Sequence, residues 1–192
     1  MKATQTYSGT IEREIYTREE IAHAIDRLAS EIGSDFAGQP LLLLGVLKGA
    51  LYVVTDLARA IAQTAVRPSE VIVDYICVSS YGNETRSSGE VRLLKDTAET
   101  VTGRNVVIVE DIVDNGLTLE YLSALIGERK PAALRTCVLF DKPYHRRVGV
   151  RLDYTGLSCP VEFVVGYGLD YQELFRNLPY LAQLQPWVFQ SE

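Results

Sequence analysis

Apolar and polar residues follow one another along the chain in patterns that predict helices and buried strands. After Thr17 and Glu20, which form a capping-box pair, apolar residues recur at helical spacing from Ile21 to Ile32. The run ends at Gly33, so the sequence predicts a first helix that stops there. A second helix is predicted from Leu51 to Ile61, where apolar residues again share one helical face.

Continuous apolar runs without alternation predict strands that are covered on both faces. Such runs are Leu41 to Val46, Val71 to Val78 and Val106 to Val109, with shorter candidates at Arg135 to Phe140 and Phe163 to Val165. Because these strands alternate with helices in one chain, we expect an α/β fold with a central, mostly parallel sheet flanked by helices. Ligands of such sheets bind beyond the carboxyl ends of the strands.

Two stretches lack a clear pattern. Gly82 to Glu90, with the sequence GNETRSSGE, has almost no apolar side chains to anchor it, which predicts a mobile surface loop. The composition alone does not distinguish a loop that closes over a site from an ordinary disordered surface loop. The stretch from Leu169 to Gln185 is rich in aromatic residues but only weakly periodic.

Length and composition narrow the class of protein. A chain of 192 residues with 47% hydrophobic residues can bury one core, so one domain is expected. With 19 basic and 25 acidic residues the net charge is -6, which predicts no general attraction to nucleic acid or membranes. No apolar run approaches the roughly 20 residues of a membrane helix, and we expect a cytoplasmic protein. The three cysteines lie far apart in apolar runs and are predicted to be buried hydrophobes.

The most informative stretch is Val106 to Leu119, VVIVEDIVDNGLTL. It places Glu110 and Asp111 at the end of a buried strand, a turn at Asp114 to Gly116, and Thr118 where a helix begins. Asparagine and glycine tolerate positive backbone angles, so the amides of this turn can form an anion cradle at a helix amino terminus. The stretch therefore predicts a phosphate site, to which the Thr118 hydroxyl adds a hydrogen bond.

Two simpler interpretations of this stretch stay open at the level of sequence. Asn-Gly between apolar runs is also the commonest signal of a β-hairpin, although here the first arm does not alternate and the second is helical. Glu110 and Asp111 could also form a solvated strand end. Adjacent carboxylates would repel a phosphate unless they had another task, such as accepting hydrogen bonds from sugar hydroxyls.

The same stretch resembles the binding signature of type I phosphoribosyltransferases for phosphoribosyl pyrophosphate (PRPP). LLLLGVLKGA resembles the pyrophosphate loop of the hypoxanthine-guanine branch, and VSSYGNETRSSGE resembles its flexible catalytic loop. FDKP and FVVGYGLDYQELFRNLPY resemble its base-binding strand and carboxyl-terminal hood. The resemblance covers most of Leu41 to Tyr180 and implies purine salvage, in which PRPP and hypoxanthine or guanine give pyrophosphate and IMP or GMP.

The resemblance also implies roles for the PRPP-binding residues. Glu110 and Asp111 would hold the ribose hydroxyls, and the 5-phosphate would bind Asp114, Asn115, Gly116, Leu117 and Thr118. Pyrophosphate would contact Lys48, Gly49 and Arg176. Some family members have lysine at the position of Leu117, so here the phosphate would depend more on backbone amides. Read alone, Lys48 would be a solvated lysine before a helix.

Further roles concern the base, the metal and the proton. Asp114 would accept a proton from the purine, Lys142 would select a 6-oxo group, and Phe163 would stack on the base. Val164 would meet the purine edge through its backbone, although FVV read alone is core strand. Magnesium would neutralise the leaving pyrophosphate, and Asp170, which also borders the base, would contact the metal together with Glu110 and Asp111.

The resemblance further implies a domain plan, namely a single domain over residues 1–192 with a core of about 36–165. A hood would comprise the N-terminal segment and about 166–192, and a mobile loop of about 80–92 would begin at Ser80 and Tyr81. Closure of that loop would exclude water during transfer. Relatives are commonly dimers or tetramers, so we expect a homodimer or homotetramer.

Other functions stay open. A regulator on the same fold could bind PRPP or nucleotide as a signal, but such proteins tend to carry a basic face. An enzyme of the same class could act on xanthine or on a pyrimidine. His23 and His145 lack zinc spacing and are predicted to be structural or exposed, and we find no nucleophile elbow or Walker motif.

Overall fold

The structure, a computed structural model, describes residues 9–81, 90–159 and 163–189, and of residues 80, 81 and 90 only the backbone. The strands are β1 (Ile11–Tyr16), β2 (Pro40–Leu47), β3 (Glu70–Tyr81), β4 (Glu90–Lys95), β5 (Asn105–Val113), β6 (Ala133–Asp141), β7 (Tyr154–Ser158), β8 (Val164–Val165) and β9 (Leu181–Leu184). The helices are α1 (Arg18–Asp35), α2 (Leu51–Gln63), α3 (Leu117–Gly127) and α4 (Pro186–Phe189), with a 3-10 turn at Pro143–His145.

A six-stranded sheet forms the centre of the molecule, with the strand order β4-β3-β2-β5-β6-β7. Strands β3, β2, β5, β6 and β7 pair in parallel, and β4 pairs antiparallel with β3 at one edge. This confirms the predicted α/β class with a mostly parallel sheet. Strand β5 lies between β2 and β6, so the acidic stretch at its end emerges near the middle of the sheet.

Both faces of this sheet are covered by apolar side chains. On β5, Val107 and Val109 pack into the cluster that contains α1 and α2, whereas Val106 and Ile108 pack into the cluster that contains α3. All four of these side chains are completely buried. Neighbouring positions thus face two different apolar layers, which explains why the strand sequences show no alternation.

Helix α1 begins as predicted but ends later. The Thr17 hydroxyl accepts a hydrogen bond from the backbone nitrogen of Glu20, and the backbone nitrogen of Thr17 donates to the Glu20 carboxylate, so the capping box is formed. The helix continues through Gly33 to Asp35. A Cβ atom at Gly33 would lie 2.6 Å from the carbonyl oxygen of Val66, so this glycine permits a close approach of the chain rather than ending the helix.

A second, three-stranded sheet has the order β1-β9-β8, and both of its pairings are antiparallel. Strands β1 and β9 were not predicted. Strand β1 (IEREIY) carries three charged residues in succession, and its pairing with β9 shifts register twice, between Ile11 and Arg13 and between Glu14 and Tyr16. Such irregularities interrupt the alternation of buried and exposed side chains, and a strand is predicted from that alternation.

Two sequence expectations, one about the mobile loop and one about the cysteines, are refined by the structure. Strand β3 runs to Tyr81 and β4 begins at Glu90, so both enter the range predicted as a mobile loop, and residues 82–89 lie outside the described part of the chain. The three cysteines are free; Cys137 and Cys159 are buried as predicted, whereas Cys77 is only partly buried. Within the described ranges, no helix combines the length and apolar character needed to cross a membrane.

Candidate active site

The acid pair at the end of β5 is buried. Glu110 is 8% exposed and Asp111 is 9% exposed, and the Oε2 atom of Glu110 has no hydrogen-bond partner among the described residues. Burial, reinforced by the charge of Asp111, raises the pKa of Glu110 well above its usual value. The solvated strand end considered above is therefore wrong, and Glu110 presents a buried acceptor that a hydroxyl donor could satisfy.

The Asp111 carboxylate has partial compensation for its burial. Burial raises its pKa to about 6, while the backbone N–H of Ile112, which donates to Oδ1 at 2.8 Å, and the charge of Arg176 both oppose that rise. The nearby charge of Asp170 raises the pKa further. Asp111 therefore lies where acidic side chains and the basic side chain of Arg176, from distant parts of the chain, converge.

The turn after β5 leads directly into α3, and the alternative β-hairpin is wrong. Gly116 is the N-cap of the helix and has a φ angle of 88°, in the left-handed region; α3 begins at Leu117. Asn115 does not share the positive angle; its side-chain Oδ1 accepts a hydrogen bond from the nitrogen of Leu117 at 2.9 Å. A cavity of about 240 Å³ is lined by Val91 and by residues 110–119. A turn at a helix amino terminus with such a cavity is suited to an anion.

A second cavity, also of about 240 Å³, adjoins the first. Its described lining residues are Asp111, Ile112, Asp114, Lys142, Phe163, Val164, Leu169, Asp170 and Arg176. Every residue predicted to bind the base is among them, although these residues come from separate parts of the chain. The two cavities share Asp111, Ile112 and Asp114. The residues predicted for the sugar phosphate and for the base therefore line adjoining spaces.

Asp114 lies between two basic side chains at this shared boundary. Its Oδ2 atom is 3.6 Å from Nζ of Lys142, and its Oδ1 atom is 3.3 Å from Nδ1 of His145. The side chain of Lys142 is only 7% exposed, whereas that of Asp114 is 47% exposed. The backbone nitrogen of Lys142 donates to the carbonyl of Val113 at 3.0 Å, which joins the ends of β5 and β6.

The loop between β2 and α2 brings Gly49 against the acid pair. A Cβ atom at Gly49 would lie 1.7 Å from Oδ2 of Asp111, so only glycine fits there. On its other side Gly49 meets Gly168, where a Cβ atom would lie 2.0 Å from the Gly49 oxygen. The peptide bond between Leu47 and Lys48 is cis. The exposed side chain of Lys48 pairs with Glu173, with Nζ 3.0 Å from Oε2.

Arg176 and Asp170 form an ion pair beside this loop. Nη2 of Arg176 lies 2.6 Å from Oδ1 of Asp170, and Nη1 donates to the carbonyl of Gly168 at 2.8 Å. The other Asp170 oxygen accepts a hydrogen bond from the nitrogen of Glu173 at 2.8 Å. The buried Nε atom of Arg176 has no hydrogen-bond partner among the described residues. The Nε atom of Arg176 is therefore a donor near Asp111 that a ligand could bind.

Ser80 and Tyr81 are placed only by their backbones. They end β3, where Ser80 pairs with Val91 and Tyr81 with Glu90. The predicted closure of the loop after them depends on residues outside the described part of the chain. Their catalytic role therefore stays a prediction.

Three residues at the site were not predicted from sequence. His145 is partly exposed, as expected, but it also contacts Asp114. Arg146 pairs with Asp141, and its Cδ atom would be 3.2 Å from a Cβ atom at Gly116. Gly168 packs against the backbone of Gly49 and has a positive φ angle of 102°. The run of basic residues after FDKP was a signal for the first two, whereas the contact of Gly168 is visible only in three dimensions.

Comparisons with known proteins agree with this geometry. Residues 12–172 match the phosphoribosyl transferase domain family. The chain is 45% identical to the hypoxanthine-guanine phosphoribosyltransferase of Mycobacterium tuberculosis, over 98% of this chain and 94% of that protein. The solved structure of a Staphylococcus aureus hypoxanthine phosphoribosyltransferase is similar with a TM-score of 0.87 at 36% identity, covering 97% of this chain and 99% of that one.

A third similar protein is the hypoxanthine phosphoribosyl transferase of Trypanosoma cruzi. Its solved structure has a TM-score of 0.86 to this chain at 42% identity, covering 95% of this chain and 96% of that one. That structure addresses the role of the protein's C-terminal region in its oligomeric state and enzymatic activity. Similarity on this scale extends beyond the acidic stretch to nearly the whole chain.

Proposed function

The chain belongs to the phosphoribosyltransferase family, and we propose that it transfers the 5-phosphoribosyl group of PRPP to hypoxanthine and guanine, giving IMP or GMP and pyrophosphate. The observation that carries this proposal is the pair of adjoining cavities that share Asp111 and Asp114. One has the buried acids and the helix amino terminus that suit a ribose phosphate. The other has the donor and the aromatic ring that suit a purine.

On the PRPP side, Glu110 has an oxygen without a partner among the described residues, and burial, which raises the pKa of Asp111, is only partly compensated, so both acids can accept hydrogen bonds from donors. The ribose 2- and 3-hydroxyls are such donors, and they would replace the water that burial removed. The 5-phosphate would bind the turn from Asp114 to Thr118. Lys48, Gly49 and Arg176 would contact pyrophosphate, and the Nε atom of Arg176, which no described residue binds, is a donor for it.

On the base side, Lys142 determines which purines fit. An ammonium group offers only donors, so it can pair with a 6-oxo oxygen but not with a 6-amino group. Because Lys142 is buried, the 6-amino group of adenine would set donor against donor away from water, and such mismatches discriminate strongly. Phe163 would stack on the base, with the backbone of Val164 at its edge.

In the transfer step, the bond between ribose C1 and a pyrophosphate oxygen breaks and a bond from C1 to a purine nitrogen forms. The proton on the purine ring goes to Asp114, which lies at the boundary of the two cavities. Positive charge that develops on the ribose is stabilised by the neighbouring carboxylates. The contacts from Lys142 and His145 to its two oxygens hold the Asp114 carboxylate in one orientation.

Magnesium fits this site as a partner of the substrate. The described residues contain no group of three or more His, Cys, Asp or Glu residues that could hold a metal by themselves. Magnesium commonly keeps waters and binds through one or two carboxylates plus substrate phosphates, which Asp170 and the acid pair beside it can supply. When bound, the ion would neutralise charge on the departing pyrophosphate.

Incubation with five bases tests the proposal. The protein is mixed with PRPP, magnesium and hypoxanthine, guanine, xanthine, adenine or uracil, and pyrophosphate release is measured, with reactions lacking base or containing a chelator as controls. We expect turnover of hypoxanthine and guanine and loss of activity with the chelator. Efficient use of adenine or uracil would refute the substrate assignment. A protein that binds PRPP but turns over no base would instead be a regulator.

The assembly and the location of the protein stay predictions. We expect a homodimer or homotetramer, by analogy with a relative whose oligomeric state has been addressed. Sedimentation equilibrium measures this directly, and a monomer at enzyme concentrations would contradict it. The cytoplasmic location expected from the sequence likewise stays a prediction.

A further inference from the structure

The side chain of Phe163 is held by two other aromatic rings in the second sheet. The ring of Phe189, in the short helix α4, is stacked on it with centroids 4.8 Å apart and an interplanar angle of 11°. Tyr171 meets it edge-on, with centroids 5.5 Å apart and an angle of 81°. Offset stacking and edge-to-face contact are the two arrangements that aromatic rings favour. Phe163 therefore has a well-defined ring plane.

The cavity for the base lies on another side of Phe163. Phe163 lines that cavity, whereas Phe189 and Tyr171 are not among its described lining residues. Both belong instead to the apolar cluster of the second sheet, which includes Val165 and Phe175. Phe189 thus covers a face of Phe163 without filling the space beside Lys142.

Hydrogen bonds hold α4 in this position. The hydroxyl of Tyr171 donates to the carbonyl of Val188 at 2.9 Å, so the residue that meets Phe163 edge-on also binds the backbone next to Phe189. The nitrogen of Gln185 donates to the carbonyl of Thr10 at 2.8 Å, which attaches the start of α4 to the N-terminal part of the chain. The contacts together connect Phe163 with both ends of the described chain.

We propose that Phe189 is a positioning residue for the purine: it packs behind Phe163 and fixes the ring plane on which the base stacks, with Tyr171 holding both in place. This inference rests on the proposed function, because it requires a base on the other face of Phe163. A ring that is already fixed loses little conformational freedom when the base binds, so its stacking contributes fully to affinity. Phe189 therefore acts on the base through Phe163 and contacts no substrate.

The test compares substitutions of Phe189 in the full-length protein. Phe189→Ala removes the stacked ring, and we expect the KM for hypoxanthine to rise about fivefold, the size of one aromatic pair interaction, while the KM for PRPP changes less than about twofold. Phe189→Tyr keeps the ring and should stay within about twofold of the wild-type KM. Tyr171→Phe removes only the hydroxyl, and a rise of about twofold in the same KM is expected.

A matched control separates this effect from general loss of structure. Trp187→Ala removes a larger and more exposed ring from the same short helix and should leave the KM for hypoxanthine unchanged. Thermal unfolding of each variant reports folding separately. An unchanged or lowered KM for hypoxanthine in Phe189→Ala would overturn the inference, since a lowered value means that Phe189 obstructs the base. Equal rises for hypoxanthine and PRPP would also overturn it.

Calorimetric titration with GMP distinguishes failure of this inference from failure of the proposed function. If the wild-type protein turns over no base, the proposed function fails, yet GMP still reports on the base cavity. A Kd for GMP about fivefold higher in Phe189→Ala than in the wild type would support the inference in that case. Equal Kd values, or no binding of GMP by the wild type, would overturn it.

Discussion

Buried carboxylates on two strands of the same sheet differ in how many hydrogen-bond donors surround them. Asp74 on β3 is largely buried, with a side chain 13% exposed, and its oxygens accept hydrogen bonds from Thr97 Oγ1 and from the nitrogens of Tyr75, Ala98 and Glu99. The acid pair on β5 is at least as deeply buried, yet one oxygen of Glu110 has no partner among the described residues. Strand β2 lies between β3 and β5.

The pKa shifts of the two groups show the difference. Burial acts to raise the pKa of Asp74, but the hydrogen bonds from Thr97 and from three backbone amides outweigh it and lower the pKa overall. For Glu110 and Asp111 burial prevails, and their pKa values are raised. A carboxylate that the fold satisfies stabilises the fold, whereas one left unsatisfied costs stability and keeps its acceptors for a ligand.

The largest expected effect concerns turnover and separates chemistry from folding. Asp114→Asn keeps the shape of the side chain but removes the proton acceptor, so we expect kcat to fall by about 100-fold or more. The KM for PRPP should change less than about threefold, and the unfolding temperature should hardly change, because the side chain is half exposed. Steady-state kinetics with both substrates measures this. Equal losses in turnover and PRPP binding would count against the general-base role.

The second effect is on stability, at the satisfied carboxylate. Asp74→Asn places an amide among several N–H donors, and we expect it to cost about 2 kcal/mol, or an unfolding temperature lower by about 4 to 8 °C. The KM values should stay near those of the wild type. Asp96→Asn is the control, since this half-exposed partner of Arg129 is expected to contribute less than about 1 kcal/mol.

The pH dependence of this second effect follows from the lowered pKa of Asp74, which its hydrogen bonds cause. A carboxylate whose pKa is lower in the folded state stabilises it above the unfolded value of about 4. That contribution is lost as the pH falls through the folded pKa. The difference between wild type and Asp74→Asn should therefore narrow below about pH 4, and a constant difference would argue against an electrostatic origin.

The smallest effect on stability is expected at Asp111, whose burial is only partly compensated, and it has the opposite sign. Asp111→Asn removes a buried charge, and we expect it to raise the free energy of unfolding by about 1 kcal/mol at pH 7.5, since the new amide is itself poorly satisfied. The KM for PRPP should rise about tenfold as the ribose loses a charged acceptor. Chemical denaturation and steady-state kinetics measure the two changes. Destabilisation at neutral pH would show that Asp111 is as well satisfied as Asp74.

The sign of the pH dependence is also reversed for Asp111. Burial raises the pKa of Asp111 to about 6, so between about pH 4 and pH 6 the folded protein binds more protons than the unfolded chain. The stability of the wild type therefore falls as the pH rises through this window. The advantage of Asp111→Asn should be full above about pH 6 and absent below about pH 4.

The site could be predicted from sequence where its residues are neighbours in the chain. The stretch VVIVEDIVDNGLTL encodes a buried strand, an acid pair, a glycine turn and a helix start within one segment, and the structure contains each of them. The contacts of His145 with Asp114 and of Gly168 with Gly49 could not be predicted in this way. They join segments that only the folded sheet brings together.

For the fold, too, features that depend on neighbouring residues could be predicted, and features that depend on distant segments could not. The continuous apolar runs of β2 and β5 predicted a sheet covered on both faces, because local composition alone reveals burial on two sides. Strands β1, β4, β7 and β9 were not predicted, since they are short, edge-lying or irregular and owe their extended form to pairing partners distant in sequence.

By itself, then, the sequence determined the class of fold, the capped first helix and the strand end that carries the acids. Each of these depends on residues within a few positions of one another, whose spacing fixes the local backbone and its apolar face. Only the tertiary structure decided which acids are satisfied and which are left for a ligand. Asp74 and Asp111 are the same residue type on strands of one sheet, and their pKa values shift in opposite directions because the hydrogen-bond donors that folding brings to Asp74 outweigh its burial, whereas the donors and the Arg176 charge near Asp111 do not.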